Sequence, residues 1–240
     1  MHKRNLILLV AIFLHSACNT SLKGFNQKPS SITADSLYPS PDVKIPTHSD
    51  WTKGHYPEKI KEFKNKPLEF KDIVFLGNSI TEGGGDWAGR FNNPKVKNRG
   101  ISGDVTDGVL KRLGEIYYFK PASVFILIGI NDLFNPSLPA TYVANNIIEI
   151  ARVIKINSSH TKVYVQTILP TTTQNIVAKI KETNDILRDH ASRKTYSLIE
   201  LHSFFADDND LMKKEFTKDG VHLNEAGYNQ WVSKVKKYID

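Results

Sequence analysis

The chain has 240 residues, of which 40% are hydrophobic and 24% charged, a composition typical of globular proteins. Its length suits one domain with some additional chain, because globular domains usually have roughly 100–200 residues. This composition excludes a disordered chain, a collagen and a coiled coil. The formal net charge is +7, but the lysines are spread along the chain, so we expect a mildly basic surface and no nucleic-acid partner.

Cysteine and histidine usage limits the kinds of site that the chain can form. Cys18 is the only cysteine, which excludes an intramolecular disulfide framework and any multi-cysteine zinc or iron–sulfur site. The histidines form no close pair in the sequence and no H-E-x-x-H motif occurs. We therefore expect no metal site and no cofactor, and a fold stabilised by a packed core.

The first 18 residues have the pattern of an export signal. Residues 2–4 are positively charged, residues 6–14 are uninterruptedly apolar, and Ser16-Ala17 precedes Cys18. The apolar run is too short to span a bilayer, which needs ~20 residues. The cysteine in this place resembles the lipobox of bacterial lipoproteins, whose cysteine is acylated, with His15 where an aliphatic residue is usual. We expect an exported lipoprotein held to a membrane by this anchor alone, facing the periplasm or the cell surface; a soluble periplasmic or secreted protein is the alternative.

A polar linker is predicted over residues 19–56. Residues 19–50 are rich in Ser, Thr, Asn, Pro and Lys and lack apolar periodicity, which is typical of a tether. No chemistry is expected there. The predicted organisation is an export signal over residues 1–18, this linker, and one folded domain over residues 57–240.

From residue 57 onward, helical and strand-like patterns alternate. A short helix is predicted over residues 57–64, with Pro57 in its first turn. Short apolar runs, typical of strands buried on both faces of a parallel sheet, lie at residues 73–76, 124–128, 163–165 and 196–199. Amphipathic segments long enough to be crossover helices lie at residues 105–117, 140–156, 175–192 and 225–239. The alternation predicts an α/β fold, a three-layer sandwich with helices on both faces of a parallel sheet.

Polar residues with catalytic potential fall where the strands of this sheet end, which is where ligands bind in such folds. Ser79 follows the first strand, and Asp219 and His222 precede the last helix. A serine becomes a nucleophile when a histidine acts as its base and an acid fixes the histidine tautomer, so these three residues are candidates for a triad. The backbone N–H of Ser79, that of a nearby glycine and the side-chain amide of Asn131 are candidate oxyanion donors.

Each of these residues also has a simpler interpretation. A serine after a strand is more often a helix N-cap than a nucleophile, because its hydroxyl accepts from free N–H groups. Asp219 and His222 are equally suited to a surface turn, and Asn131 and Asp132 to capping the next helix.

Four sequence blocks over residues 57–240 resemble those of the SGNH hydrolases, also called GDSL esterases or lipases. In order they are the nucleophile block Gly77-Asn78-Ser79, the glycine block at residues 98–104, the asparagine block Gly129-Ile130-Asn131-Asp132 and the acid–base block Asp219-Gly220-Val221-His222. The resemblance implies a flavodoxin-like fold and metal-free ester hydrolysis. It assigns Ser79 as nucleophile, Asp219 and His222 as its triad partners, and Gly103 and Asn131 as oxyanion donors together with Ser79. Asn78 departs from the family pattern, which has Asp before the nucleophile.

Five residues near these blocks are predicted to line the substrate pocket: Asn78, Glu82, Trp87, Asp104 and Thr171. For two of them a structural role is the alternative. A helix beginning at Asp86 would place Trp87 and Phe91 in the core at i, i+4. Asp104 is also suited to capping a helix that starts at Val105.

The expected substrate is a small acyl ester or an O-acetylated glycan. The sequence Gly-Asn-Ser-Ile-Thr before a glycine-rich turn is similar to exported bacterial relatives of platelet-activating-factor acetylhydrolase subunits and to carbohydrate or sialate acetylesterases. This implies an acetylesterase that forms an acyl-enzyme. A lysophospholipase or thioesterase, and a non-catalytic glycan-binding lipoprotein, are the alternatives. An α/β-hydrolase is excluded, because Thr81 stands where G-x-S-x-G requires its second glycine.

Overall fold

Five parallel strands form one sheet within residues 34–239, the part of the chain that the structure, a computed structural model, describes. The strands are β1 (Ile73–Gly77), β2 (Val96–Gly100), β3 (Ser123–Leu127), β4 (Lys162–Gln166) and β5 (Ser197–Ile199). Their order in the sheet is β2-β1-β3-β4-β5, as in flavodoxin-like folds, so the topological switch point lies between β1 and β3. The predicted α/β fold with a parallel sheet is confirmed.

Helices connect the strands and cover the sheet. They are α1 (Asp50–Asn65), α2 (Ser79–Glu82), α3 (Trp87–Phe91), α4 (Thr106–Lys111), α5 (Gly114–Phe119), α6 (Ile130–Phe134), α7 (Ala140–Asn157), α8 (Val177–Ala191), α9 (His202–Phe205) and α10 (Glu225–Val235). Every residue of β1 and β3 is buried, so both faces of the central sheet are covered, as a three-layer sandwich requires. On one face Phe75 stacks on Phe125 at 4.9 Å between ring centroids and on Trp87 at 4.4 Å.

Strand β2 has no counterpart among the predicted elements. Its sequence, Val-Lys-Asn-Arg-Gly, has no apolar run, because β2 pairs only with β1 and forms an edge of the sheet. Edge strands commonly carry charged side chains. The helix predicted over residues 105–117 is also wrong in detail, since Arg112 leaves the helical conformation (φ −118°, ψ 28°) and separates α4 from α5.

The predicted linker is wrong for residues 34–56, which fold with the domain. Tyr38 and Ile45 are buried in a second apolar cluster with Tyr56, Ile101 and other residues of α1 and the glycine block. Helix α1 begins at Asp50, not at residue 57, because the Ser49 hydroxyl accepts a bond from Thr52 N at 3.1 Å and caps it. The sequence hid this because three prolines and scattered polar residues interrupt the apolar positions of residues 37–46.

The predicted export signal, Cys18 and residues 19–33 lie outside the described residues. Within residues 34–239, none of the helices is both apolar enough and long enough to cross a bilayer.

Candidate active site

Ser79 lies at the switch point of the sheet, directly after β1. The preceding Asn78 caps α2 by accepting a hydrogen bond from Ile80 N at 3.1 Å. The capping alternative for Ser79 is therefore wrong, because Asn78 does this work and leaves the serine hydroxyl available. Gly77 lets the end of β1 lie close to β3 and to α2, because a Cβ at this position would lie 2.2 Å from Leu127 O and 2.3 Å from Thr81 Oγ1.

Ser79, His222 and Asp219 form one hydrogen-bonded chain. His222 Nε2 lies 2.9 Å from Ser79 Oγ, and His222 Nδ1 lies 2.7 Å from Asp219 Oδ2. The histidine and aspartate side chains are 37% and 47% exposed, so the chain lies at an open rim of the sheet. An apolar cavity between residues 39–46 and α1 is separate, since none of the three residues lines it.

The turn that carries Asp219 and His222 has a fixed conformation. Thr217 Oγ1 accepts from Gly220 N and donates to His222 O, both at 2.8 Å. Gly220 has φ +91°, and a Cβ there would lie 2.0 Å from Thr172 Oγ1. Only glycine allows this turn to pack against the loop after β4, and Thr172 N donates to Gly220 O at 2.9 Å to hold it there.

Asp219 is ionised at neutral pH. Partial burial acts to raise its pKa, but the backbone N–H and ring of His222 and the backbone N–H of Val221 donate hydrogen bonds to it and lower the pKa to about 2. The carboxylate therefore accepts the Nδ1 proton of His222, which leaves Nε2 as the acceptor for the Ser79 hydroxyl.

The candidate oxyanion donors come from the ends of three adjacent strands, β2, β1 and β3. Gly103 has φ +78°, and within residues 34–239 its N–H donates to no protein group. A Cβ at Gly103 would lie 2.1 Å from Thr52 Oγ1, so α1 packs directly on this glycine. Asn131 Nδ2 donates to Asp104 O at 2.8 Å, which fixes the amide beside the glycine block.

A buried polar network supports these donors. Arg112 donates through Nε to Asp104 Oδ2, through Nη1 to Arg99 O and through Nη2 to Gly77 O, each at 2.9 Å. His48 Nε2 lies 3.0 Å from the other Asp104 oxygen. Arg112 thus joins the nucleophile block to the glycine block. The sequence analysis did not predict the roles of Arg112 and His48. Neither residue is part of a motif, and neither stands at a helical or strand spacing from Asp104 that would indicate contact with it.

Asp132 joins the asparagine block to α4. Its Oδ1 accepts from Thr106 Oγ1 at 2.6 Å and from Thr106 N at 3.1 Å, so it caps α4. Burial raises the pKa of Asp132 to about 7, against the hydrogen bonds from Thr106 that lower it. The alternative role of Asn131 and Asp132 as caps of the next helix is wrong, because both lie inside α6 and the Asp132 carboxylate bonds to the earlier helix α4.

Four of the five predicted pocket-lining residues are buried and bonded within the protein, which contradicts their predicted role: Asn78, Trp87, Asp104 and Thr171. Trp87 is 1% exposed and its Nε1 donates to Thr81 O, because its ring fills the core beside Phe75. The Asp104 carboxylate accepts hydrogen bonds from Arg112 and from Val105 N, and it also bonds with His48. Thr171 Oγ1 accepts from Thr173 N at 3.1 Å.

Glu82 is partly exposed and links three elements. Its Oε2 accepts from Ser102 N and lies 3.3 Å from His55 Nε2, and Lys59 pairs with Oε1 at 3.3 Å. Burial acts to raise the pKa of Glu82, but the hydrogen bonds from Ser102 and His55 outweigh it and lower the pKa. Glu82 therefore ties α2 to the glycine block and to α1.

Within residues 34–239, no group of three or more His, Cys, Asp or Glu side chains is arranged to hold a metal ion. The arrangement can activate a serine hydroxyl and stabilise an oxyanion with groups from the chain itself.

A family model and several solved structures match this chain. A family model described as GDSL-like Lipase/Acylhydrolase matches residues 75–230. A comparison with curated protein sequences gave no significant match.

Several solved structures have the same fold. A GDSL-like lipase from Bacteroides thetaiotaomicron is 26% identical, with a TM-score of 0.69 over 77% of this chain and 96% of its own. A protein from Streptococcus pneumonia described as a platelet activating factor is 26% identical, with a TM-score of 0.71 over 80% of this chain and 95% of its own. An acetyl-xylooligosaccharide esterase from Geobacillus stearmophilus is 18% identical, with a TM-score of 0.59 over 72% of this chain and 96% of its own, a likeness of fold alone.

Proposed function

The chain belongs to the GDSL-like lipase/acylhydrolase family, and from this membership we propose that it is a serine esterase that removes short acyl groups, above all O-acetyl groups, from a carbohydrate. The observation that carries the proposal is the chain of hydrogen bonds from Ser79 through His222 to Asp219, with distances of 2.9 and 2.7 Å. A non-catalytic binding protein has no need of this geometry.

In the proposed reaction, Ser79 Oγ attacks the ester carbonyl while His222 Nε2 takes its proton. Asp219 holds the imidazole in the required tautomer and stabilises its positive form. The N–H groups of Ser79 and Gly103 and the Asn131 amide bind the oxyanion. His222 then protonates the leaving alcohol, and the carbonyl re-forms as an acyl-enzyme on Ser79.

Hydrolysis of the acyl-enzyme repeats these steps with water. His222 takes a proton from water, whose oxygen attacks the acyl carbon, and then returns a proton to Ser79 Oγ as the carboxylic acid leaves. Each step uses groups that the chain supplies.

The preference for a short acyl group on a polar alcohol is supported by the surroundings of Ser79. His222 and Asp219 are partly exposed at an open rim, and charged or polar groups such as Glu82 lie close to the glycine block. The two long helices between the asparagine block and the acid–base block, α7 and α8, pack on each other and on strands β4 and β5, so they are crossover helices of the sandwich and not a lid over Ser79. The acetyl-xylooligosaccharide esterase provides a precedent for this chemistry on the same fold.

Hydrolysis of p-nitrophenyl esters from acetyl to decanoyl, with Ser79→Ala as the control, tests the proposal. We expect the fastest turnover with acetyl, a steep fall beyond butyryl and no turnover by Ser79→Ala. A preference for long chains would favour the lysophospholipase or thioesterase alternative. If the wild type hydrolyses none of the esters faster than Ser79→Ala does, the esterase proposal is refuted.

We also propose that the protein is exported and that Cys18 carries a lipid anchor, on the lipobox resemblance alone. Fractionation of cells that express the protein and Cys18→Ser tests this. We expect the protein in the membrane fraction and the variant in the soluble one; the same distribution for both would refute the anchor.

A further inference from the structure

Trp51 is an exposed aromatic residue on α1, the helix that packs on Gly103 of the candidate oxyanion hole. Its side chain is 62% exposed, whereas the other two tryptophans, Trp87 and Trp231, are buried in the core. Burial of a ring as large as indole is strongly favourable, so a tryptophan left in water is informative.

Two neighbouring residues tie Trp51 to the glycine block. Thr52, the next residue, packs against Gly103, since a Cβ there would lie 2.1 Å from Thr52 Oγ1. His55, one turn further along α1, lies 3.3 Å from Glu82 Oε2, and the same oxygen accepts from Ser102 N. Trp51 is therefore linked to Ser102 through His55 and Glu82 and precedes the residue that contacts Gly103, which puts it on the oxyanion side of Ser79.

The ring is supported on one face. Trp51 stacks on His55, with 4.7 Å between ring centroids and 24° between ring planes, and His55 is held in turn by Glu82. Helix α1 is fixed at this end by the Ser49 cap and the buried Thr52. The second face of the indole is the one available to solvent, and little conformational freedom would be lost on binding.

The chemistry of the surroundings favours a sugar over an acyl chain. Asp50 and Lys53, which flank Trp51 in the sequence, are exposed charged residues paired at 2.8 Å. An acyl chain needs a continuous apolar wall, which one indole flanked by Asp50 and Lys53 does not provide. The C–H face of a sugar ring packs on the negative face of an indole, and its hydroxyl groups remain within reach of charged side chains and water.

We propose that Trp51, stacked on His55, is a sugar-binding subsite that holds the carbohydrate whose acetyl ester Ser79 attacks. This inference rests on the proposed function and specifies its substrate as an O-acetylated oligosaccharide. The acetyl group lies at Ser79 and the oxyanion donors, and the sugar ring lies on Trp51. A small ester without a sugar uses the triad but not the subsite.

Kinetics on two substrates test the subsite. Acetylated xylo-oligosaccharides are compared with p-nitrophenyl acetate for the wild type, Trp51→Ala, Trp51→Phe and Phe70→Ala. Phe70 is a matched control. It is 60% exposed, like Trp51, but it precedes the first residue of β1, whereas Ser79 follows the last. We expect Trp51→Ala to lower the ratio of kcat/KM for oligosaccharide over p-nitrophenyl acetate by about fivefold to tenfold, through KM.

Trp51→Phe is expected to restore part of this ratio, and Phe70→Ala to leave it unchanged. An equal loss on both substrates would show that Trp51 acts only through the structure, and a ratio equal to that of Phe70→Ala would also overturn the subsite. Wild type that hydrolyses p-nitrophenyl acetate but no acetylated oligosaccharide would overturn the subsite and leave the esterase intact. Failure of the esterase itself would appear instead as no turnover of p-nitrophenyl acetate above that of Ser79→Ala.

Binding without turnover gives an independent measurement. In Ser79→Ala, acrylamide should quench mainly the exposed Trp51, and acetylated xylo-oligosaccharides should protect it. The double variant with Trp51→Ala should show no protection. If the oligosaccharide does not change the quenching of Ser79→Ala by acrylamide, the subsite is overturned.

Discussion

The two sides of the candidate active site are held in place by different means. On the oxyanion side, Arg112 forms a buried ion pair with Asp104, and His48 bonds to the same carboxylate beneath the glycine block. On the acid–base side, Asp219 and His222 are partly exposed and are positioned by hydrogen bonds within their own turn, which one backbone bond from Thr172 joins to the loop after β4. The oxyanion side is therefore coupled to the stability of the fold, whereas the acid–base side is a local structure. Substitutions on the two sides should separate activity from stability.

The largest effect is expected on the acid–base side and on activity alone. His222→Ala removes the base for Ser79 and should lower kcat/KM for p-nitrophenyl acetate by ~10⁴ or more. Because the side chain is partly exposed and its ring bonds only to Asp219 and Ser79, the free energy of unfolding should fall by about 1 kcal/mol at most. Ester kinetics and urea denaturation measure the two quantities. Substantial unfolding of the variant would contradict the local character of this side.

The next largest effect is expected on the oxyanion side and on stability. Arg112→Met leaves the buried Asp104 carboxylate without its cation, which should lower the free energy of unfolding by about 3–5 kcal/mol. Arg152→Met is the matched control, because Arg152 pairs with Glu149 on an exposed helix face and should cost about 0–1 kcal/mol. Equal urea midpoints for the two variants would show that the network does not support the fold.

Asn131→Ala tests the oxyanion donor whose amide also bonds to the buried network, at Asp104 O. Loss of one oxyanion donor should lower kcat by ~10²–10³ with little change in KM. The variant also loses the bond from the Asn131 amide to Asp104 O, so its unfolding must be measured alongside. A fall in kcat of less than tenfold in a folded variant would count against Asn131 as a donor.

The smallest effect is the pH dependence that Asp219 adds to stability. Its pKa is about 2 in the folded protein and 3.8 ordinarily, so its contribution is present above about pH 4 and is lost as the pH falls from 4 to 2. Asp219→Asn should remove this contribution and unfold with a weaker pH dependence in that window. Urea midpoints of both proteins at pH 5, 4 and 3 measure it; parallel curves would refute the assignment.

The ease of predicting each part from the sequence follows from its physical origin. The central strands could be predicted because β1 and β3 are buried on both faces and must be wholly apolar. Ser79 and His222 could be proposed because their motifs fall where these elements end. Strand β2 could not, since Lys97 lies on an edge strand and the charge of the buried Arg99 is balanced by an ion pair with Glu115, which the sequence pattern does not show.

The network beneath the glycine block was equally hidden. Arg112 lies in a segment whose polar residues would ordinarily face water, and His48 lies in a segment without apolar periodicity. Their roles depend on contacts between distant parts of the chain, which leave no periodic signal. Trp51 was hidden because it lies in the predicted linker, where no chemistry was expected, and Trp87 was left open between core and pocket. Only the packing shows that Trp87 is in the core and that Trp51 is exposed on a helix.

The packing of residues 34–65 on the glycine block has a consequence for the order in which the protein is made. Tyr38 donates a hydrogen bond to Glu115, 77 positions later, and His48 bonds with Asp104, 56 positions later. This early part of the chain leaves the ribosome well before its partners and must wait for them, because such long-range contacts close slowly. Thr52 can reach Gly103 only after that closure. The bond between His222 and Ser79 joins positions 143 apart, so the wall of the oxyanion hole can form before the acid–base side has been synthesised.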